Sequence, residues 1–379
     1  MSAGGEHAQV AVIGAGVCGL SCASALAKAG VPVAVFEQAR GPGGRMSTRR
    51  QTLETGEQLR FDHGAQYFSA KDLAVQALVQ EWVAAGVAAP WTPRLGTWEA
   101  GKGFVPEEAD SKVRYVGVPG MNAICQHLSS QPGVSARLGT AVTGLEWRDG
   151  RWLLTGKDGA ALGTYAALVV TDKNLASPRF SALNAGLPPP LESAGVPELF
   201  ARVAAVSSIP SFALMLAFKQ PLTQLPFDGL DVRNHKTLVW AGRDSAKPGR
   251  LKEPGAPECW VLHSNGDYAK RRVEEGPAGK PSAEWLGEIA EDMLAGFREI
   301  VPEMPEPLFA RAHRWGGGFP AVAIANPGEA CLWDESKRVA ACGDYCLGPR
   351  VESAILSGLA AANKIFATRE LLTLSKAHL

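Results

Sequence analysis

Residues 10–37 read VAVIGAGVCGLSCASALAKAGVPVAVFE. Val10 to Ile13 is a short run of apolar β-formers, the pattern of a parallel strand buried on both faces. Gly14, Ala15, Gly16, Val17, Cys18 and Gly19 then spell GxGxxG. Small residues from Leu20 to Ala29 predict a helix that Gly30 ends, and a second strand closes on Glu37. Each part has a physical task. Gly14 permits a sharp turn, Gly16 lets backbone approach a pyrophosphate, and Gly19 lets the helix pack close to the strand. The helix amides then face phosphate, and Glu37 can accept the hydroxyls of a ribose. The glycine pattern alone is weak. Strand, helix, second strand and terminal acid together specify a dinucleotide-binding βαβ unit.

The continuation, QARGPGGRMSTRR at 38–50, starts at Gln38 and carries Gly41, Gly43, Gly44 and Arg45 as a second phosphate-adjacent loop. NAD dehydrogenases seldom have this extension. FAD enzymes of the amine-oxidase superfamily do, as an acid, five residues and Gly-Gly-Arg. Arg45 would then sit as a cation beside the pyrophosphate or the isoalloxazine edge. No second GxGxxG and no CxxC follow, so no separate NAD(P)H domain of the disulfide-reductase type is expected.

The other end of the chain reads VAACGDYCLGPRVESAILSGLAAANKIF, 339–366. It predicts a strand from Val339 to Cys342, then Gly343-Asp344, then a helix from Val351 with Ile355, Leu356, Leu359, Ala362 and Phe366 on one face. In two-dinucleotide-fold flavoproteins such a Gly-Asp closes the FAD site. Asp344 would bond the ribityl or pyrophosphate region. The helix start at Val351 and Glu352 would point at the pyrimidine edge of the flavin, where reduction places negative charge.

Residues 139–172 alternate and carry Asp-Gly turns at 149–150 and 158–159, which predicts a meander with strands near 140–147, 151–156 and 162–170. In FAD domains of this type the backbone at Val142 meets the adenine. Between 176 and 309 the character changes. PSFALMLAFK, TLVWAGRDS and ECWVLHSN read as strands, and 283–300 as an amphipathic helix capped by Ser282. Pro- and Gly-rich loops are expected at 186–190, 247–257 and 276–281. The expected fold is therefore α/β, with a discontinuous Rossmann-like FAD domain (1–70, 111–175 and 310–379) around an inserted antiparallel-sheet substrate domain (71–110 and 176–309).

Composition narrows the function classes. Lys+Arg and Asp+Glu both count 38, a net charge of zero, so no basic excess argues for nucleic acid or an anionic membrane. No apolar run is long enough to span a membrane. Residues 1–8 read as a flexible tail without signal-peptide character, which points to the cytoplasm, or to a plastid if a transit peptide precedes the chain. Seven cysteines without a CxxC read as buried, reduced thiols. Cys342 and Cys346 lack the second pair that tetrahedral zinc needs, so no metal is expected.

One cluster stands apart: FDHGAQYFSA, 61–70. It contains no activated nucleophile. In the amine-oxidase superfamily the matching segment follows the Gly-Gly-Arg loop and crosses beside the flavin ring, which implies that Gly64 and Ala65 are backbone passing close to the flavin. Gln66 and Tyr67 read as the residues that meet flavin or substrate, with Asp62 and His63 as turn-stabilising partners.

GAGVCGLSCASAL, GPGGRMSTRR, FDHGAQYF, YVGVPGMNA, AHRW and GDYCLGPRVESAILSGLAAA together resemble the renalase-like branch of the FAD-dependent amine oxidases. The resemblance spans almost the whole chain and is strongest to plant and algal members, through DKNLASPRF and AHRWGGGFPAVAIA. It implies non-covalent FAD, a p-hydroxybenzoate-hydroxylase-like fold, and oxidation of dihydronicotinamides carrying hydride at the 2- or 6-position, with oxygen as acceptor. NAD(P)H itself and small amines are further candidate substrates, and a non-catalytic flavin-binding role is the alternative of another class. Gln66, Tyr67, His263 and Trp315 are the candidate catalytic residues, with Trp240 and Phe319 near them and His313 either structural or in the pocket. One departure stands out. After His313-Arg314-Trp315, where the family usually continues with a basic or aromatic residue, this chain has Gly316, Gly317 and Gly318.

Overall fold

In the computed structural model, residues 9–108, 112–250, 255–277 and 279–368 are described. The expected N-terminal tail, and parts of the 247–257 and 276–281 loops, lie outside them. By compactness the chain divides into two units. The first comprises residues 1–44, 125–207 and 320–379, and the second residues 45–124 and 208–319. The division expected from motifs differs: packing groups 45–70, 112–124 and 310–319 with the second unit, and 176–207 with the first. Motifs mark what a segment touches chemically, whereas compactness follows which core its apolar side chains enter.

The first unit is built on a six-stranded sheet. Its order is Leu332–Asp334, Val339–Ala341, Ala167–Val170, Val10–Ile13, Val33–Glu37, Val134–Leu138. All neighbours are parallel except the first pair. Val10–Ile13 lies at the centre with 0–5% exposure, as its unbroken apolar run requires. The helix after it is Val17–Lys28, three residues earlier than the expected start at Leu20. Gly19 thus lies inside the first turn, where a Cβ would stand 2.2 Å from the Gly14 carbonyl oxygen. The C-terminal helix, Val351–Ala367, packs equally closely: a Cβ on Gly358 would stand 2.2 Å from the carbonyl oxygen of Cys18.

The meander has strands Val142–Arg148, Arg151–Gly156 and Ala161–Tyr165. Asp149 and Gly150 both adopt positive φ, 51° and 72°, the geometry a two-residue hairpin turn demands. The third expected strand, 162–170, is in fact two. Ala161–Tyr165 completes the meander, and Ala167–Val170 leaves it to pair in parallel with Val10–Ile13. The unbroken Ala-Leu-Val-Val run belongs to a two-face-buried strand, so the alternating pattern stops at Tyr165.

The second unit carries a seven-stranded sheet. Its order is Phe309–Pro320, Ser208–Phe218, Glu258–Ser264, Leu238–Arg243, Gly229–Arg233, Leu95–Glu99, Gly103–Pro106. It is not wholly antiparallel, because Gly229–Arg233 runs parallel to Leu95–Glu99. Helix Ala283–Ile300, capped by Ser282 Oγ accepting from Trp285 N, buries Ile289, Ala290, Met293 and Phe297 in its core. Gly316–Gly318 fall within the edge strand Phe309–Pro320, and a Cβ on Gly318 would stand 2.9 Å from the Ile209 carbonyl oxygen.

A hairpin of Thr48–Thr52 and Gln58–Asp62 delivers the 61–70 segment into this unit. Asp62 is fully buried, and so is its setting. Its carboxylate accepts from Arg250 Nη2, Thr48 Oγ1 (2.7 Å), Met121 N (2.9 Å) and Lys247 Nζ (3.4 Å). Asp244, also fully buried, accepts from Lys247 (2.6 Å) and from Arg250 Nε (3.4 Å). Two carboxylates thus face two cations. Burial would raise Asp62, but Lys247 and Arg250 outweigh it and hold the carboxyl below the ordinary range. The stability it contributes is complete above about pH 3.9, the unfolded value, and is lost as pH falls through the lower folded value. Asp62→Asn leaves two buried cations facing one carboxylate. It should cost about 3–5 kcal/mol by denaturant unfolding at neutral pH, and less as pH approaches the folded value.

Candidate functional site

In the first unit the nucleotide motifs converge. Gly14 has φ +106°, and a Cβ there would stand 2.3 Å from Thr171 Oγ1, which itself bonds the Ile13 carbonyl at 2.9 Å. Gly16 caps the helix with no side-chain bond, and a Cβ there would meet nothing within 4 Å. The backbone beside the helix start is therefore bare, open and donor-rich. The Gly-Gly loop docks on it: Gly43 N donates to Ala15 O at 2.9 Å, and Gly44 approaches the Cα of Gly16.

Glu37 stands at the end of its strand. Its carboxylate accepts from Ala15 N (2.9 Å) and Ala39 N (2.8 Å), one bond to each oxygen. A carboxylate has about four lone-pair sites, so each oxygen keeps capacity for a further donor. Burial raises its carboxyl above the ordinary value, against the lowering effect of the two amides. Gln38 beside it is exposed, and Val142 is buried at the base of the meander. Thr140 N bonds Glu37 O at 2.8 Å, which ties the two segments together.

Gly343 and Asp344 are buried, and Gly343 N donates to Ser357 Oγ at 2.9 Å, so the Gly-Asp turn is fixed to the C-terminal helix. That helix starts at Val351 with no side-chain cap bond from Arg350, and Glu352 lies in its first turn. The two motifs also touch directly, through Cys18 Sγ and Cys342 Sγ at 3.5 Å. Gly14, Ala15, Gly16, Gly19, Glu37, Gln38, Gly44, Val142, Gly343, Asp344, Val351 and Glu352 thus all belong to one unit. Its side-chain-free turn, two helix N-termini and acceptor carboxylate are the donor and acceptor set a dinucleotide cofactor needs. Thr171 and Ser357 support this set and carry no motif that marks them in the sequence.

Arg45, Ala65, Gln66, Tyr67, His263 and Trp315 belong to the second unit. Arg45 Nη1 donates to Gly318 O at 3.1 Å, and Ala65 N donates to Arg45 O at 2.8 Å. A Cβ on Gly64 would stand 2.0 Å from that same oxygen, so glycine is required for the crossing.

Around His63 lies a group of neutral rings. The His63 carbonyl accepts from Trp315 Nε1 (2.8 Å) and from His263 Nε2 (3.2 Å). Its ring lies 4.8 Å from His313 and 5.0 Å from Trp315. Burial, reinforced by His313 and Arg49, pushes the His63 imidazole down to about 3. Burial likewise pushes His263 and His313 to about 4. All three are uncharged at neutral pH. His313, left open between structural and pocket roles by the sequence, is a member of this group.

Gln66 is buried on the other side of the turn. Its Nε2 donates to Asp62 O and to Gly64 O (3.2 Å), and its Oε1 accepts from Lys247 Nζ at 3.4 Å. Tyr67 packs between Trp91 and Trp240, each at 5.9 Å. Arg114 lies 5.9 Å over the Tyr67 ring, and Lys247 lies 6.0 Å over Trp91. Phe319 is exposed at the end of its strand. Asp62 proves to be the anchor of a four-charge network. No spacing rule in the sequence marks Asp244, Lys247 and Arg250, in RDSAKPGR, as its partners, because they are so distant in the chain.

Among the described residues no group of three His, Cys, Asp or Glu is placed to hold a metal ion, and no helix is long and apolar enough to cross a membrane. Residues 12–82 match the NAD(P)-binding Rossmann-like domain, and residues 99–366 match the flavin containing amine oxidoreductases. Among solved structures, a putative protoporphyrinogen oxidase from Exiguobacterium sp. 255-15 is 12% identical with a TM-score of 0.67, covering 95% of this chain and 99% of its own. Putrescine oxidase bound to putrescine is 14% identical with a TM-score of 0.66, covering 95% and 99%. An oxidoreductase from Methanosarcina mazei is 15% identical with a TM-score of 0.63, covering 94% and 100%. With the family match extending over more than half of its length, the chain belongs to the flavin-containing amine oxidoreductases and is an FAD-dependent oxidoreductase.

Proposed function

We propose that this enzyme is a renalase-like oxidase of dihydronicotinamides. It takes a hydride from the reduced ring of NAD(P)H or of its 2- or 6-dihydro isomers and passes the electron pair to oxygen. Dihydronicotinamide, oxygen and one proton become oxidised nicotinamide and hydrogen peroxide. Bound FAD supplies the two-electron acceptor that this exchange requires. In this reading Gly14, Ala15, Gly16 and Gly19 hold the pyrophosphate, with Gly44 beside it. Glu37 holds the ribose with Gln38 beside it, and Val142 contacts the adenine. Asp344, after Gly343, bonds the ribityl chain. The first turn at Val351 and Glu352 offers amide donors and a positive helix end to the charge that reduction develops.

The observation that carries the substrate class is the neutral ring group of His63, His263, His313 and Trp315. Hydride transfer from a dihydronicotinamide needs a flat partner, correct orientation and dry surroundings, and little acid–base help. Three imidazoles kept uncharged by burial suit that demand. A diffusible ammonium asks instead for a free carboxylate. Beside Gln66, the carboxylates of Asp62 and of Asp244 are both taken by Lys247 and Arg250. Tyr67 flanked by Trp91 and Trp240 favours a second reading, oxidation of a small neutral amine against aromatic faces. All seven cysteines are buried free thiols, which supports a reducing compartment.

Anaerobic titration of the holoenzyme should show flavin bleaching by 6-dihydroNAD(P), with peroxide appearing when air is admitted. Bleaching by amines alone would replace this reading with the second one, and bleaching by neither would remove both. The pH profile of kcat/KM should carry no histidine ionisation between about pH 6 and 8, since the three imidazoles titrate near 3 to 4. A step near pH 6.5 that His313→Gln abolishes would count against the neutral group. Glu37→Ala should weaken FAD retention by roughly ten- to a hundredfold, the worth of charge-assisted hydrogen bonds. The measurement is the flavin-to-protein absorbance ratio after desalting, and full retention would refute the ribose assignment.

A further inference from the structure

Trp240 Nε1 is a buried donor without a hydrogen-bond partner. It lies in strand Leu238–Arg243, two residues before Gly242, and points along the same face of the sheet. The place where a Cβ on Gly242 would stand is 2.7 Å from Trp240 Nε1 and 3.3 Å from Gln66 Oε1. One small spot is therefore bordered by an unused indole N–H and an amide oxygen that do not bond each other.

The orientation of the Gln66 amide is set by its neighbours. Its nitrogen faces two carbonyls, Asp62 O and Gly64 O, and its oxygen faces the Lys247 ammonium. Turning the amide over would set oxygen against carbonyls and N–H against N–H. Lys247 is itself held. Its three protons have three acceptors, Asp244 Oδ1, Asp62 Oδ2 and Gln66 Oε1, and it is 1% exposed. Gln66 Oε1 keeps one lone pair beyond Lys247, so the spot offers one fixed donor and one fixed acceptor.

We infer that Trp240 and Gln66 form a clamp for a primary carboxamide. The ligand's carbonyl oxygen accepts from Trp240 Nε1–H, and its N–H donates to Gln66 Oε1. Lys247 is a positioning residue, because it fixes which end of Gln66 is presented. The half-buried Tyr67 ring packs against Trp240. This inference rests on the dihydronicotinamide reading, and it names the group of that ring which the enzyme recognises: the 3-carboxamide. It also separates the substrate from simple amines, which carry no carbonyl for Trp240.

The test uses FAD-loaded enzyme and three probes: nicotinamide, 3-acetylpyridine and nicotinic acid, titrated by calorimetry. 3-Acetylpyridine keeps the carbonyl and lacks the N–H, and nicotinic acid sets a carboxylate against Gln66 Oε1. Nicotinamide should bind about tenfold more tightly than 3-acetylpyridine, the worth of one hydrogen bond in a buried site, and nicotinic acid should bind most weakly. Gln66→Met should erase the difference between the first two. Trp240→Phe should weaken both by a similar factor and keep their ratio. Equal affinities of nicotinamide and 3-acetylpyridine for the unmutated holoenzyme, or no binding of either, would overturn the clamp, whatever the variants do. Flavin bleaching judges the parent reading separately. Bleaching by 6-dihydroNAD without amide discrimination removes the clamp alone. Amide discrimination without bleaching keeps the clamp and removes the dihydronicotinamide.

Discussion

The nucleotide-binding unit depends on one close approach: the amide-bearing start of helix Val17–Lys28 against the turn that precedes it. At Gly19 a single Cβ would stand 2.2 Å from the Gly14 carbonyl oxygen, and at Gly358 another would stand 2.2 Å from the Cys18 carbonyl oxygen. Backbone therefore meets backbone on two sides of the same helix. The close packing holds the first helix against its own strand and brings the C-terminal helix onto it. Gly343, bonded to Ser357 of that second helix, is placed by the same contact. Two helix starts, 334 residues apart, are thus set by the absence of two methyl groups.

In the second unit a buried ion network surrounds the start of the 61–70 segment. Burying two carboxylates and two cations is costly unless every charge is met, and here each is. The network has a consequence for chemistry. Charges committed to one another are withheld from a ligand, and the imidazoles of His63, His263 and His313 in the same unit are uncharged. His63 joins the two sides, because its carbonyl collects Trp315 and His263 while its chain neighbour Asp62 anchors the ion network. A segment that looks like a run of polar residues in the sequence is, in three dimensions, the seam between a charged core and an uncharged face.

Much of this was legible from local pattern. The strand at Val10–Ile13, the helix capped by Ser282, the Asp149-Gly150 turn and the C-terminal helix follow from periodicity and turn chemistry. These depend on neighbours within a few residues. Boundaries were less legible where two cores compete for one stretch. The 162–170 run divides at Ala166 because its first half belongs to a meander and its second to a parallel sheet. The parallel pairing of Gly229–Arg233 with Leu95–Glu99 was likewise invisible, since strand direction is a property of topology rather than of residue type.

Local pattern marks the cofactor unit, because a glycine-spaced turn and the Gly-Asp before the last helix require backbone geometry that few other residues permit, and Glu37 ends the second strand at a fixed interval. The partners of FDHGAQYF are fixed by the folded chain. Asp62 meets Lys247 and Arg250 from 185 and 188 residues away, and Trp240 reaches the same spot as Gln66. Charge pairing and hydrogen bonding act through space with no fixed interval along the chain. Their outcome is settled only when packing has excluded water and left each buried group to find its match.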